Sequence, residues 1–310
     1  MKFASSTSNE TEREVKMRQM VFLGIVVFFF YSSFLRAQVS DYGSFTEIYD
    51  LVSEENQKYQ LKVTLPSDYK ESEPYQTLYY LDAWWLSESV LGAYALLHIS
   101  RQVNSIILVG ISLDGDEKDW NIQRTLDFTP SPYDIEKMGF EMKAGREEKG
   151  IALKKQNTGG ADEFIEFLEI GIFPFMEDKY PNVEKRRGVL GHSYGGLFGF
   201  YVMQQKPTLF SDFILISPSL WWNKSELVRE ETFSKFMAEE SRFNLHLTYG
   251  GMESNLIIRS NEAMDKLING LEKDALSYQF KPFETANHNS ILPQAIYEGL
   301  LFTYGNKMHK

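Results

Sequence analysis

Residues 186–205 read Arg-Arg-Gly-Val-Leu-Gly-His-Ser-Tyr-Gly-Gly-Leu-Phe-Gly-Phe-Tyr-Val-Met-Gln-Gln. A short apolar run, Gly188 to Leu190, ends in Gly191-His192-Ser193-Tyr194-Gly195, and a helix-like stretch follows to Gln205, stopped by Pro207. A strand, a tight turn and a helix in that order are what a nucleophile elbow requires. The turn strains the serine backbone and leaves little space beside it. Gly191 and Gly195 are expected to supply that space, and Gly196 and Gly199 to let the helix lie close to the sheet. Ser193 would then stand at the carboxyl end of its strand, its hydroxyl open to a base. Gly-x-Ser-x-Gly arises by chance in roughly one chain of this length in ten, so the surrounding pattern has to decide.

That pattern is an alternation of strands and helices. Upstream, Phe45–Ser53 and Tyr59–Leu65 read as a hairpin turning at Asn56-Gln57, with Pro66 as its stop. Gln76–Leu81 is a third strand, ending at Asp82-Ala83-Trp84-Trp85, and Ser87–Arg101 reads as a helix. The continuous apolar run Ser105–Ser112 is typical of a strand buried on both faces. Ala161–Tyr180 reads as a helix closed by Pro181. Beyond the elbow come a strand at Phe213–Ser217, a helix at Lys224–Glu240 and a strand at Phe243–Tyr249. A helix at Asn255–Leu276, a strand at Tyr278–Phe283 and a last helix from about Leu292 to Tyr304 complete the chain. The order predicts an α/β fold, a mostly parallel sheet with an antiparallel N-terminal hairpin and helices on both faces.

Two segments stand outside this rhythm. Residues 113–160 form a long connection, charge-rich over Glu136–Gln156, which reads as a lid, a binding loop or a solvated excursion. At the N-terminus, the uncharged run Val21–Leu35 follows Lys16 and Arg18 and precedes Arg36-Ala37-Gln38. It is short of the ~20 residues of a membrane span and fits a secretory leader, residues 1–37, with Ala37 at the cut and Met17 as an alternative start. An uncleaved anchor is the alternative. Either way, residues 38–310 are expected to form one exported catalytic domain.

Bulk composition narrows the function classes. The chain of 310 residues is 43 % hydrophobic and 15 % aromatic, enough for a full core. Its formal net charge of −11 argues against nucleic acid or an anionic membrane as partner. Cysteine is absent, which excludes disulfides, a thiol nucleophile and cysteine-ligated metal. No ligand spacing asks for a metal, and no organic cofactor is implied.

The serine needs a base, an acid and an oxyanion hole. Of the five histidines, His98 falls in a helix, His192 fills the elbow, His246 lies in a strand and His309 is in the tail. His288 remains, in the loop Thr285–Ser290 between the last strand and the last helix, where it is free to swing over Ser193. Serine, acid and histidine follow one another along such chains. Glu253, the first carboxylate after Phe243–Tyr249, is therefore expected to orient His288, with Asp212 and Glu284 as alternatives. A role for Glu253 in charging the start of the next helix is the plainer reading. The oxyanion donors are expected to be the backbone amides of Tyr194 and Trp84. Trp84, Trp85, Trp221 and Trp222 sit at two strand ends on one edge and suggest an aromatic-walled pocket for small-molecule or glycan-linked esters.

Leu78-Tyr79-Tyr80-Leu81-Asp82-Ala83, Arg124-Thr125-Leu126-Asp127-Phe128-Thr129-Pro130, Gly191–Gly196, Ser217-Pro218-Ser219-Leu220-Trp221-Trp222 and His288-Asn289-Ser290 together resemble the esterase D-like branch of the α/β-hydrolases. The similarity spans about residues 45–303 and is greatest to siderophore esterases. It implies an α/β-hydrolase fold, a serine esterase with Ser193 as nucleophile and His288 as base, and an oxyanion donor at Trp84. Ala83 stands where the family usually has glycine. Arg124 matches the family's arginine, implying either a substrate contact or a structural ion pair. Some members work with a weak or absent acid, which bears on Glu253. Siderophore or aryl esters lead as substrates, followed by acyl or feruloyl esters on polysaccharide and by acyl transfer to another alcohol. A binding protein that kept the fold without turnover is the rival of another class.

Overall fold

The computed structural model describes residues 36–39, 45–113, 115–133 and 155–306. The leader Val21–Leu35 and most of the charge-rich segment, residues 134–154, lie outside the described residues. One sheet of nine strands runs through the domain in the order β1-β2-β3-β5-β4-β6-β7-β8-β9. β1 (Arg36–Val39), β2 (Phe45–Val52) and β3 (Lys58–Leu65) are antiparallel, and β3 is antiparallel to β5 (Ile107–Leu113). From β5 onward, β4 (Tyr75–Tyr80), β6 (Val183–His192), β7 (Asp212–Ile216), β8 (Phe243–Thr248) and β9 (Leu276–Phe280) are all parallel. The expected hairpin and parallel sheet are both present. The expected leader cut after Ala37 falls inside β1, where Ala37 pairs with Glu47.

The central strands read as unbroken apolar runs because both faces are covered. Every residue of β5 and β7 is buried. One face carries α1 (Ala83–Ile99) and the C-terminal α8 (Leu292–Tyr304), closing a core around Leu78, Leu108, Leu190, Ile214, Ile296 and Leu300. The other face carries α5 (Tyr194–Gln205), ten of whose residues are buried, within an aromatic core that includes Phe164, Phe198, Phe210 and Phe213. Gly199 lets α5 settle on the sheet, since a Cβ there would lie 2.3 Å from Leu215 Cδ2. This close helix–sheet packing holds the turn before α5 rigid.

Four expectations needed adjustment. The segment at 113–160 is not one excursion: α2 (Glu117–Asp127) starts at an Asp116 cap and packs into the body, with the Gly160 amide bonded to the Leu126 carbonyl. The helix expected at Lys224–Glu240 is broken, because Asn223, Lys224 and Ser225 all have positive φ and only Glu230–Phe233 and α6 (Ser234–Ala238) follow as short turns. The helix expected over Ala161–Tyr180 is α3 (Ala161–Phe167) and α4 (Phe173–Lys179) joined by a π turn at Leu168–Ile172. Pro174, which lacks an amide hydrogen, lies just after that turn as the second residue of α4. α7 (Asn255–Gly270) ends six residues before the expected Leu276.

Candidate active site

Parallel register brings the carboxyl ends of β4, β6, β7 and β8 to one edge, since Tyr80 pairs with Leu190, and His192 with Ile216, which pairs with Thr248. The turns that follow carry Asp82–Trp84, Ser193, Ser217–Ser219 and Gly250–Glu253. Ser193 sits at φ 59°, ψ −113°, a conformation that side chains avoid, and so departs sharply from the strand it ends. A Cβ at 191 would lie 2.2 Å from the Gly195 carbonyl oxygen, so glycine is obligatory there. At 195 an added Cβ meets nothing nearer than 3.4 Å, so lack of space does not require glycine at that position. The Ser193 amide bonds to the Ile216 carbonyl, and its hydroxyl rests 3.3 Å from Ser219 Oγ, itself buried.

His288 is brought to this turn from the far side of the sheet. Its Nδ1 lies 2.5 Å from Glu253 Oε2. The other carboxylate oxygen of Glu253 accepts from Ser217 Oγ at 2.5 Å and from the Gly250 amide at 2.7 Å. The carboxylate is 1 % exposed. Burial works against its charge, but the hydrogen bond and charge of His288, helped by Ser217 and Gly250, prevail and hold its pKa below the ordinary value. Glu253 is thus committed as a charged acceptor, which fixes the proton of His288 on Nδ1 and leaves Nε2 as the basic nitrogen. The helix-start reading of Glu253 gives way to this contact. Asp212 is bound elsewhere, by Arg186 and Asn244.

Two glycines weld the acid turn to the histidine loop. Gly251 and Met252 donate to the carbonyls of Phe283 and Ala286. A Cβ at Gly250 would lie 2.4 Å from the Ala286 carbonyl oxygen, a backbone atom with no room to yield. Gly250→Ala is expected to cost about 1–3 kcal/mol of stability and to lower kcat by separating Glu253 from His288. Thermal unfolding and esterase rates on the same preparation check it.

The oxyanion candidates both lie in the opening turn of a helix: Trp84 is the second residue of α1 and Tyr194 the first of α5. Amides opening a helix point outward along its axis and favour developing negative charge. Asp82, which caps α1 in the left-handed region (φ 57°, ψ 35°), sets the direction of that turn. Arg124 grips it with two bonds of 2.7 Å, from Nε to Oδ1 and from Nη2 to Oδ2, both side chains being buried. The guanidinium also lies over the rings of Trp120 and Tyr194. Of the two roles open to Arg124, the ion pair is present.

The aromatic residues divide. Trp84 is 41 % exposed and stacks on Trp120 at 5.3 Å, and Trp85 packs edgewise on the same ring. Trp221 is half-buried beside Tyr194. Trp222 is fully buried, its indole donating to the Ser131 carbonyl at 3.2 Å. Trp120 was missed because it lies in a segment whose sequence reads as an insertion. Ser219 and His192 were missed for another reason: their contacts join residues far apart in sequence, and no local pattern marks them. Among the described residues, no group of three histidines, aspartates or glutamates could hold a metal.

Comparison with known proteins agrees with this architecture. The family model "Esterase: Putative esterase" matches residues 53–258. The chain is 28 % identical over 256 residues to the ferri-bacillibactin esterase BesA of Bacillus subtilis, covering 80 % of this chain and 85 % of that one. It is 27 % identical to a siderophore enterobactin esterase of Emericella nidulans, covering 48 % of this chain and 58 % of that one. Among solved structures, the BES protein from Bacillus cereus superposes with a TM-score of 0.74 at 23 % identity, covering 87 % of this chain and 99 % of that one. Siderophore hydrolase EstA from Aspergillus nidulans gives 0.65 at 23 % identity, over 83 % and 93 %. The fold is that of the α/β-hydrolases, and the chain belongs to the esterase family, enzymes that hydrolyse ester bonds.

Proposed function

We propose that the protein is an exported serine esterase that cleaves siderophore-type or other aryl esters through an acyl-enzyme. The observation that carries this reading is the Ser193 elbow, tied through its neighbour His192 to a loop whose imidazole is anchored, Nδ1 to Glu253, on a buried carboxylate. Ser193 leaves Ser219 and donates its proton to His288 Nε2, while Glu253 stabilises the imidazolium that results. The serine oxygen attacks the ester carbonyl, and the amides of Trp84 and Tyr194 hold the oxyanion. His288 returns the proton to the departing alcohol. Water then repeats the sequence at the acyl-enzyme, its proton passing to His288, and the acid is released. Trp84 and the half-buried Trp221 offer ring surface to an aryl acyl group, in keeping with relatives named as siderophore esterases. The apolar run Val21–Leu35, with Lys16 and Arg18 before it, directs the chain out of the cytoplasm.

Two measurements test the reading. Diisopropyl fluorophosphate should add one phosphoryl group at Ser193, located by peptide mass spectrometry, and should stop hydrolysis of p-nitrophenyl butyrate. Labelling at another residue with activity retained would overturn the mechanism. A panel of catecholate trilactones, feruloyl sugars and acetylated sugars then ranks the substrate. A higher kcat/KM on either sugar ester than on the trilactone would move the assignment to polysaccharide.

A further inference from the structure

His192 fills the variable position of the elbow, where any side chain satisfies the motif, yet its surroundings are those of a working group. It ends β6, is 2 % exposed, and its Nε2 lies 2.8 Å from the backbone carbonyl oxygen of His288. A carbonyl only accepts, so Nε2 must carry the proton, and the buried Nδ1, which has no partner among the described residues, is left bare. The ring faces that of His288 with centroids 4.4 Å apart and is backed by Trp85 at 5.6 Å. On its other side, Arg124 reaches the His192 carbonyl at 3.4 Å.

We infer that His192 is a positioning residue for the esterase reaction: its Nε2–H pins the His288 main chain against the nucleophile turn, and its ring limits how far the His288 imidazole can swing. The inference rests on Ser193 and His288 being the reacting pair. His288 sits on a loop with its side chain 39 % exposed. Glu253 holds Nδ1, but a bond at one ring nitrogen leaves the imidazole free to pivot about it. The bond from His192 fixes the backbone at the other end of the side chain, so the imidazole is held at both ends. Neutrality is part of the role. Burial first, then the charges of His288 and Arg124, keep the His192 pKa well below its ordinary value. A second cation beside the imidazolium would oppose its formation; a neutral ring does not.

The test uses replacements that separate the donor from the ring. Gln carries its Nε2 the same number of bonds from Cβ as histidine does, so His192→Gln keeps a donor near the His288 carbonyl. His192→Phe keeps the ring and loses the donor, leaving a buried acceptor unsatisfied. For p-nitrophenyl butyrate, His192→Phe is expected to lower kcat about 30-fold with KM within about twofold, and His192→Gln to recover kcat to within about threefold of wild type. Wild-type kcat in a folded His192→Phe would overturn the inference, as would a His192→Gln loss as large as that of His192→Ala. Should the Phe variant fail to fold, the Gln and Ala pair decides alone. Ser193→Ala is measured alongside. If that variant keeps its rate, the serine mechanism itself fails; if it is dead while His192→Phe is unimpaired, only the role of His192 does.

Discussion

Alanine at Ser193 or at His288 is expected to lower kcat for an activated aryl ester by about 10⁶-fold, and the double replacement to cost hardly more, because each removes the same proton-coupled attack. Glu253→Gln is the informative third member. Glu253 Oε1 accepts from Ser217 and Gly250, and Oε2 meets His288 Nδ1. An amide in that place offers a single oxygen to three donors. It either turns its NH₂ towards Nδ1, forcing the proton of His288 onto the nitrogen that must act as base, or breaks the bonds to Ser217 and Gly250. The expected loss is about 10⁴-fold, the scale of a wrong tautomer. Burst and steady-state kinetics on p-nitrophenyl esters read all of these. A loss under about tenfold at Glu253→Gln would mean that Ser193 and His288 work as a pair and that Glu253 serves to hold the loop.

The sequence made the elbow legible because sterics leave it little freedom. A glycine at 191 is demanded by a carbonyl 2.2 Å from any added Cβ, and demands of that kind leave marks at fixed spacing. The strands were legible for a similar reason, since a strand covered on both faces has to be apolar throughout. His288 was named by elimination among five histidines and by its loop position, and Glu253 by chain order. The helix at Lys224–Glu240 was misread because local composition does not reveal three successive residues at positive φ. Trp120, Ser219 and His192 make their contacts with residues 26 to 96 positions away. Such contacts have no period. Register and packing create them, so they become visible only when the edge is assembled.

Arg124 is where the expected effect on stability is greatest. Arg124→Met should destabilise the domain by about 3–5 kcal/mol, lowering Tm by about 10 °C. The reason lies in what would be left behind. Asp82 is 1 % exposed, in a left-handed turn that only a few residue types adopt, and Arg124 is its partner through both oxygens. Asp127 lies nearby and is buried, held by Tyr59 and Gln123; burial, with a smaller contribution from Asp82, pushes its pKa up to about 7. Without the guanidinium, Asp82 has no compensating charge. Asp82→Asn removes that charge while still tolerating the left-handed backbone, so the double variant Asp82→Asn, Arg124→Met should be about 2 kcal/mol more stable than Arg124→Met alone. Chemical denaturation of the four proteins completes the cycle. A substrate-binding arginine would behave differently: KM would rise in Arg124→Met, Tm would stay near wild type, and Asp82→Asn would rescue nothing. The two carboxylate bonds, the enclosing rings of Trp120 and Tyr194 and the burial of both partners favour the first pattern. In that pattern Arg124 reaches the reaction through the turn that carries the Trp84 amide, so kcat should fall with stability while KM changes little.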